Sequence, residues 1–396
     1  MELREGQAVP AESPGNGVTV LRAQIDEKPW GGRGLERFGV ELPPEVAVGE
    51  ALLTGGEATI SAGPHAGRTL SALISAEPDR IGPLGRSAVG GRPLFPLLIK
   101  LIDAADNLSV QVHPDDAAAA PLDRLGKTEA WHVLAAAPGA WLYLGLQPGV
   151  TVEHLADACR RADGSAASLL RQVPARTGTT VLIPAGTVHA LGAGVVVYEI
   201  QQPSDVTFRL DDWGRVDAHG RHRELHLDQG LAVTAAALRP ELIPPVALRS
   251  TLGRRHLLAA CRFFALERIA LPSGAPVAVH AAGGPSVLTV LSGEATLGAR
   301  GNETVVAAGQ PAVVWPSSAD VRLTALTPLV VLRGWVPELE SDVVAPAQSA
   351  DATTDQIAAL GGPLGDVRET LNASPTRRPS QRGVESVSKG GSASLR

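Results

Sequence analysis

Between Val18 and about Leu231 short apolar runs alternate with Gly and Pro turns: VTVLRAQ, PLFPLLIKLI, NLSVQVHP, AWHVLAAA, AWLYLGL, TTVLIPAG and GVVVYEIQ. Runs of four to ten residues bounded by turn formers predict strands. Helical periodicity is confined to Thr69 to Ser75 and, more strongly, to residues 151–173, where VEHLADACRRA and SAASLLRQV repeat apolar residues three and four apart. Many short strands with few helices predict an antiparallel sandwich or jelly roll rather than a parallel α/β sheet. Neither GxGxxG nor GxxxxGK[ST] occurs. AAALRPELIPP at 235–245 reads as a linker, and a second series of strands follows: RFFALERIAL, PVAVHAA, PSVLTVLSGEATLG, ETVVAAG, PAVVWPS and VRLTALTPLVVLRGW. The pattern predicts a mainly β protein of two jelly-roll units, at 17–235 and 246–337, with a small helical insert near 151–173. Residues 1–16 read as a loose arm. Residues 338–396, rich in Ala, Ser, Gly, Pro and Arg and without an aromatic, read as a disordered tail with one weak helix around Asp355 to Leu360.

Composition narrows the partners. A chain of 396 residues with 44% hydrophobic and 19% charged residues, net charge -6, fits a soluble protein of two or three domains. The longest uncharged stretch, Val181 to Tyr198, is broken by Pro184, Gly186, His189, Gly192 and Gly194, so no membrane span is expected. The N-terminus lacks the basic-then-apolar order of a secretory signal and the two cysteines, Cys159 and Cys261, allow at most one bridge, so the expected location is cytoplasmic. With no Lys/Arg run over the folded part, small molecules are expected as partners rather than nucleic acid. Only Lys28, Lys100, Lys127 and Lys389 among the 35 basic residues are lysines, so each retained lysine invites a specific explanation.

Chemistry concentrates in three places. Gly178-TTVLI-Pro184-Ala-Gly186-Thr-Val-His189 describes a strand entered through Gly and left through a Pro/Gly turn, with His189 aimed back at the sheet. Its G-x5-P-x-G-x2-H spacing resembles the second motif of the cupin superfamily, in which the histidine is a metal ligand. Upstream, period-two alternation puts Ser109, Gln111 and His113 on one strand face and Leu108, Val110 and Val112 on the other. Sixteen residues after His113, Glu129 begins a further apolar strand. Gln111, His113, Glu129 and His189 together offer two imidazoles, a carboxylate and an amide oxygen. That donor set suits Zn²⁺ and also admits Fe²⁺, Mn²⁺ or Co²⁺.

The strings Pro29-Trp-Gly-Gly, Pro93-LFPLLI-Lys100, Leu108-SVQV-His113-Pro-Asp, Gly126-Lys-Thr-Glu129-Ala-Trp, Ile183-PAGTV-His189-Ala and Tyr198-EIQQPS-Asp205-VTF-Arg209 resemble those of the type I mannose-6-phosphate isomerases, in the same order, over residues 24–231. The resemblance implies a monomeric enzyme with one Zn²⁺ per chain that interconverts mannose 6-phosphate and fructose 6-phosphate through an enediolate, with Gln111, His113, Glu129 and His189 as ligands. The chain departs from the family at Ala51-Leu52, where a small residue and Trp are usual, and in the shortness of its helical insert.

Isomerisation requires an acid/base near two adjacent carbons, and Lys127, Glu199 and Asp205 are the candidates, with His132 a weaker one. A neighbouring zinc ion and desolvation are expected to lower the pKa of Lys127. Arg209 stays protonated and is expected to stabilise the enediolate or grip phosphate, oriented by Asp205 four residues before it. Lys100 and Ser109 are the expected phosphate contacts. His219, His222 and His226 read as an exposed loop, given Arg221, Arg223 and the nearby acids. In the second unit, Gly309-QPAVVW-Pro316 parallels the Gly178 motif, but aligning the prolines puts Val321 opposite His189, so that unit is expected to hold no metal. Two other readings remain: an iron-dependent cupin oxygenase using His113, Glu129 and His189, and a sugar-phosphate-binding protein on the same scaffold.

Overall fold

The computed structural model describes residues 17–373 except 217–218, 282, 300, 317 and 319–320. Among these the strands form four antiparallel sheets of eight, seven, five and four strands. The seven-stranded sheet runs Leu242–Ile243, Thr180–Ile183, Glu129–Ala136, Val195–Gln201, Leu98–Ala104, Glu50–Thr54, Gln24–Asp26. The five-stranded sheet runs Phe208–Asp211, Val110–Val112, His189–Leu191, Trp141–Leu146, Leu170–Pro174. Trp131, Val133, Val181 and Ile183 from the first meet Leu142, Leu144 and Leu191 from the second in one buried cluster, so the two sheets face each other.

Strand alternation then builds the rest of the molecule. Along Glu129–Ala136, Trp131 and Val133 point into this sandwich, whereas Ala130 and Leu134 point out of it. Those outward residues share a core with Leu257, Leu266 and Leu332 of the eight-stranded sheet. The far face of that sheet, with Ile269, Leu288 and Val331, packs on Leu297, Val306 and Leu323, which belong to or border the four-stranded sheet. The order of layers is therefore four, eight, seven and five strands. No helix among the described residues is long and apolar enough to cross a membrane.

The insert at 151–173 folds as a helix (Val152–Cys159), a 3-10 turn (Ser165–Leu169) and a strand (Leu170–Pro174). Thr151 caps the helix by accepting from the His154 backbone N–H. Two boundaries differ from expectation. Val18–Arg22, assigned above to the first unit, pairs with Pro311–Val314 and so extends the eight-stranded sheet of the second. Alternation identifies a strand but not its partner.

The expected disordered tail is the second correction. A π-helical turn (Glu340–Val344) leads into helices Ala345–Ser349, Thr354–Ala359 and Asp366–Ala373. Val343, Val344, Ile357, Leu360 and Val367 are buried in the central core. Residues 1–16 and 374–396 lie outside the described residues. Leu360→Ala is accordingly expected to lower the stability of the chain by about 2–5 kcal/mol, the usual cost of truncating a buried Leu. Denaturant unfolding measures it, and an unchanged midpoint would show that this segment does not belong to the core.

Candidate metal centre

The loop carrying Lys127 is fastened from several sides. Gly126 lies so close to the Asp115 backbone that a Cβ there would approach it to 2.5 Å, and its N–H donates to Asp116 Oδ1. Lys127 N–H donates to the Pro114 carbonyl and Thr128 N–H to Gln202 Oε1, while Gln202 Nε2 donates to Asp116. Ser204 Oγ donates to the Leu125 carbonyl. The Gln-Gln-Pro-Ser segment thus clamps the Lys-Thr-Glu loop onto the His-Pro-Asp-Asp turn and brings Lys127 and Glu129 to His113. Gln202 and Asp116 carry this clamp and were not singled out from the sequence.

Three ligand-type side chains converge there. Atoms of His113, Glu129 and His189 lie within 4.8 Å of one another, and among the described residues no other group of three His, Cys, Asp or Glu gathers in this way. Glu129 Oε2 is 3.5 Å from His113 Nε2, and Oε1 is 3.4 Å from His189 Nε2. His113 Nδ1 lies 2.9 Å from the Val206 carbonyl and His189 Nδ1 2.8 Å from that of Thr187. A carbonyl only accepts, so each Nδ1 carries the proton and each Nε2 presents a lone pair to the centre. Burial, with Lys127 and the other imidazole adding to it, holds His113 well below the ordinary histidine range. Burial likewise holds His189 at about 4 against the opposing Thr187 carbonyl. Both imidazoles are neutral at pH 7, the state a ligand needs.

Gln111 pairs with His189 across the strands, its Nε2 3.3 Å from His189 Nε2, and a half-turn of the amide brings Oε1 to the same place. Both carboxylate oxygens of Glu129 are buried; Oε2 meets the Lys127 ammonium at 2.9 Å, whereas Oε1 has no hydrogen-bond donor among the described residues. A buried carboxylate with one oxygen open between two imidazoles favours a further cation there. Burial first, and Glu199 after it, raise the Glu129 pKa to about 7.

Lys127 Nζ sits 2.9 Å from Glu129 and 3.1 Å from His113 Nε2. Burial favours its neutral form, but Glu129 and Glu199 outweigh burial and raise its pKa. From Lys127 an alternating row of charges crosses the seven-stranded sheet. Lys100 Nζ lies 3.5 Å from Glu199 and 3.9 Å from Glu50, and Lys28 Nζ 3.4 Å from Glu50 and 3.3 Å from Asp26. Glu199 also accepts from Trp131 Nε1 at 2.8 Å. Burial opposes its charge, yet Lys127, Lys100 and that N–H hold its pKa below the ordinary value. Three lysines thus face four carboxylates, which leaves the row with one net negative charge to attract a cation. Lys28 and Glu50 were missed in the sequence, although the scarcity of lysine pointed at Lys28.

Other expected residues fall elsewhere. Asp205 is 83% exposed in its side chain and pairs with Arg124 at 3.7 Å, so it neither joins the buried cluster nor orients Arg209. His132 alternates with Trp131 and points to the outer face of its strand. Arg209 pairs with Gln111 across the strands, which puts it in one row with Gln111 and His189. Its Nη1 donates to the Glu224 carbonyl, and among the described residues no carboxylate pairs with it. Asp212, three residues on, is taken by Arg215 and Arg223. Ser109 is buried and donates to Gln111 Oε1 at 3.4 Å. His226 accepts from the Arg209 N–H and His222 Nδ1 donates to the Arg215 carbonyl, so these two histidines brace backbone rather than hold a metal. A cavity of about 670 Å³, bordered by Gln24, Leu52 and Leu98, opens on the strands beside Lys100.

Fold and site define a cupin-type protein with a buried imidazole and carboxylate centre of the kind that binds a divalent metal. No protein-family model matches the chain. It is 38% identical over 221 residues to the mannose-6-phosphate isomerase ManA of Bacillus subtilis, covering 54% of this chain and 67% of that protein. It is 37% identical over 219 residues to the mannose-6-phosphate isomerase of Streptococcus mutans, covering 54% and 66%. The chain belongs to the mannose-6-phosphate isomerase family. The aligned stretch spans about two thirds of the length of these relatives. Among solved structures, the mannose 6-phosphate isomerase of Bacillus subtilis superposes with a TM-score of 0.70 at 25% identity, over 80% of this chain and 99% of that one. A phosphomannose isomerase variant from Salmonella typhimurium shares the fold, with a TM-score of 0.63 at 16% identity over 80% and 99% of the two chains.

Proposed function

We propose that the chain is a zinc-dependent aldose-ketose isomerase that interconverts mannose 6-phosphate and fructose 6-phosphate. The observation that carries this reading is the buried Glu129 carboxylate between two imidazoles whose Nε2 lone pairs face it, in a chain of this family. His113, Glu129, His189 and Gln111 would hold the ion. Bound there, Zn²⁺ supplies positive charge that polarises the substrate's C1 and C2 oxygens.

The chain's own residues divide the remaining tasks. Glu199, kept ionised and with Oε1 free of hydrogen bonds, suits a base that takes the proton from C2 of the open-chain aldose and returns it to C1. The Lys127 ammonium gives a proton to O1 as the C1 carbonyl becomes a hydroxyl and takes back the O2 proton as the C2 hydroxyl becomes the ketone. His132 drops out as an acid/base candidate because it faces away from the cluster, and Asp205 because it pairs with Arg124 outside the buried row. Arg209 faces the charge that develops on the enediolate, and Lys100 and Ser109, on opposite walls, take the phosphate. The reading takes the chain as a cytoplasmic monomer, which the single-chain origin of the cluster and the buried, unpaired Cys159 and Cys261 support.

The test is fructose 6-phosphate formation from mannose 6-phosphate by the purified chain, with chelation and zinc add-back. Turnover that is lost on chelation and restored by zinc is the expected result. Iron as the resident metal without isomerisation would favour the oxygenase, and sugar-phosphate binding without turnover the binding protein. The oxygenase reading leaves the Lys28, Lys100 and Lys127 row without a task.

A further inference from the structure

The outer face of the strand that carries Glu129 borders a second cavity, of about 500 Å³, between the seven- and eight-stranded sheets. Its polar lining is Arg268 and His256, directly opposite each other on adjacent strands, with Arg37, His132, Thr177 and Ser292. Among the described residues no Asp or Glu lines it. Of the carboxylates next to lining residues in sequence, Glu36 is bound to Arg33 and Glu267 to Arg255 and Arg333, and Arg254 adds further positive charge to this side. Arg268 is half-buried and makes no hydrogen bond or ion pair among the described residues. His132 Nδ1 meets Thr180 Oγ1 at 2.9 Å, leaving Nε2 uncommitted. The field of Arg268 reaches it, since burial first and Arg268 second hold the His132 pKa at about 4.

Guanidinium groups gathered in a recess without a counter-charge are stabilised by an anion. Two planar forks, two imidazoles and two hydroxyls converging from separate elements fit a tetrahedral dianion with several acceptor oxygens better than a single carboxylate. We propose that this cavity is a second ligand site, separate from the metal centre, that binds a phosphate dianion, either free or as the head of a phosphomonoester. Leu134, Leu258, Leu291 and Val330 supply an apolar wall against which the organic part of a monoester would lie. The site joins the back of the metal-bearing sheet to the second unit, so its occupant stabilises their contact.

The experiment is a titration of the full chain with inorganic phosphate and, in parallel, phenyl phosphate, followed by the ring signals of His132 and His256 in NMR spectra and by calorimetry. The expected result is that both ring signals move on titration, and that Arg268→Gln weakens this binding at least about tenfold. Tighter binding of phenyl phosphate assigns the site to a monoester, and equal binding to the free ion. Arg37→Gln, at an exposed position, serves as the second variant should Arg268→Gln unfold, and Lys100→Gln, in the charge row on the metal-facing side of the sheet, should leave the two ring signals responsive. The proposal is overturned if phosphate leaves both ring signals unmoved, or if neither arginine variant changes the response.

Discussion

Glu129→Gln is expected to reduce metal affinity by at least about 100-fold and to bring isomerase turnover to background. The estimate is a lower bound, because loss of a group that merely supports a ligand already costs about 10–100-fold. Glu129 is 0% exposed and sits between His113 Nε2 and His189 Nε2. Its charge is what distinguishes this pocket from a pair of buried neutral imidazoles. The amide keeps the shape and removes the charge, so the three lysines of the row would face three carboxylates and the pull on a divalent ion would weaken. Metal content per chain and a chelator-competition titration measure the affinity separately from turnover. A Glu129→Gln chain that retained stoichiometric metal and full activity would place the centre elsewhere.

Much of this centre was legible before any coordinates. Period-two alternation through Ser109, Gln111 and His113 identified the polar strand face, and the Gly178 to His189 spacing identified the turn that returns His189 to the sheet. What escaped was contact between distant segments. Glu50 follows Gly49 with no alternating apolar neighbours of its own, and only the pairing of Glu50–Thr54 with Leu98–Ala104 brings it to Lys100. Asp205 shows the converse error. Four residues separate it from Arg209, a spacing that brings side chains together on a helix. Here the segment turns and then enters the strand Phe208–Asp211, so the two side chains diverge. The tail misled for a different reason. Composition averages each buried residue with its exposed neighbours, and Val343, Ile357, Leu360 and Val367 are too few to outweigh the polar residues around them. A helix that buries one face on an existing core needs no aromatic residue.

The second large effect is expected at Arg209. Arg209→Lys should leave metal content unchanged and lower kcat by about 10²–10³, the usual loss when one preorganised donor to a developing oxyanion is removed. The strand pairing puts Arg209 beside Gln111 but outside the set of ligand atoms, so metal affinity should not respond. Its Nη1 is already committed to the Glu224 carbonyl, and its buried Nε has no partner. A guanidinium can anchor itself through one nitrogen and still present others in a fixed plane. A lysine has one nitrogen for both tasks and a flexible stem, so meeting Glu224 withdraws its charge from the substrate. The loss should fall on kcat more than on KM, because the interaction strengthens only as negative charge develops. Parent turnover in Arg209→Lys would leave charge, without the fork, as sufficient. An equal rise in KM with kcat intact would move Arg209 from the reacting oxygens to the phosphate.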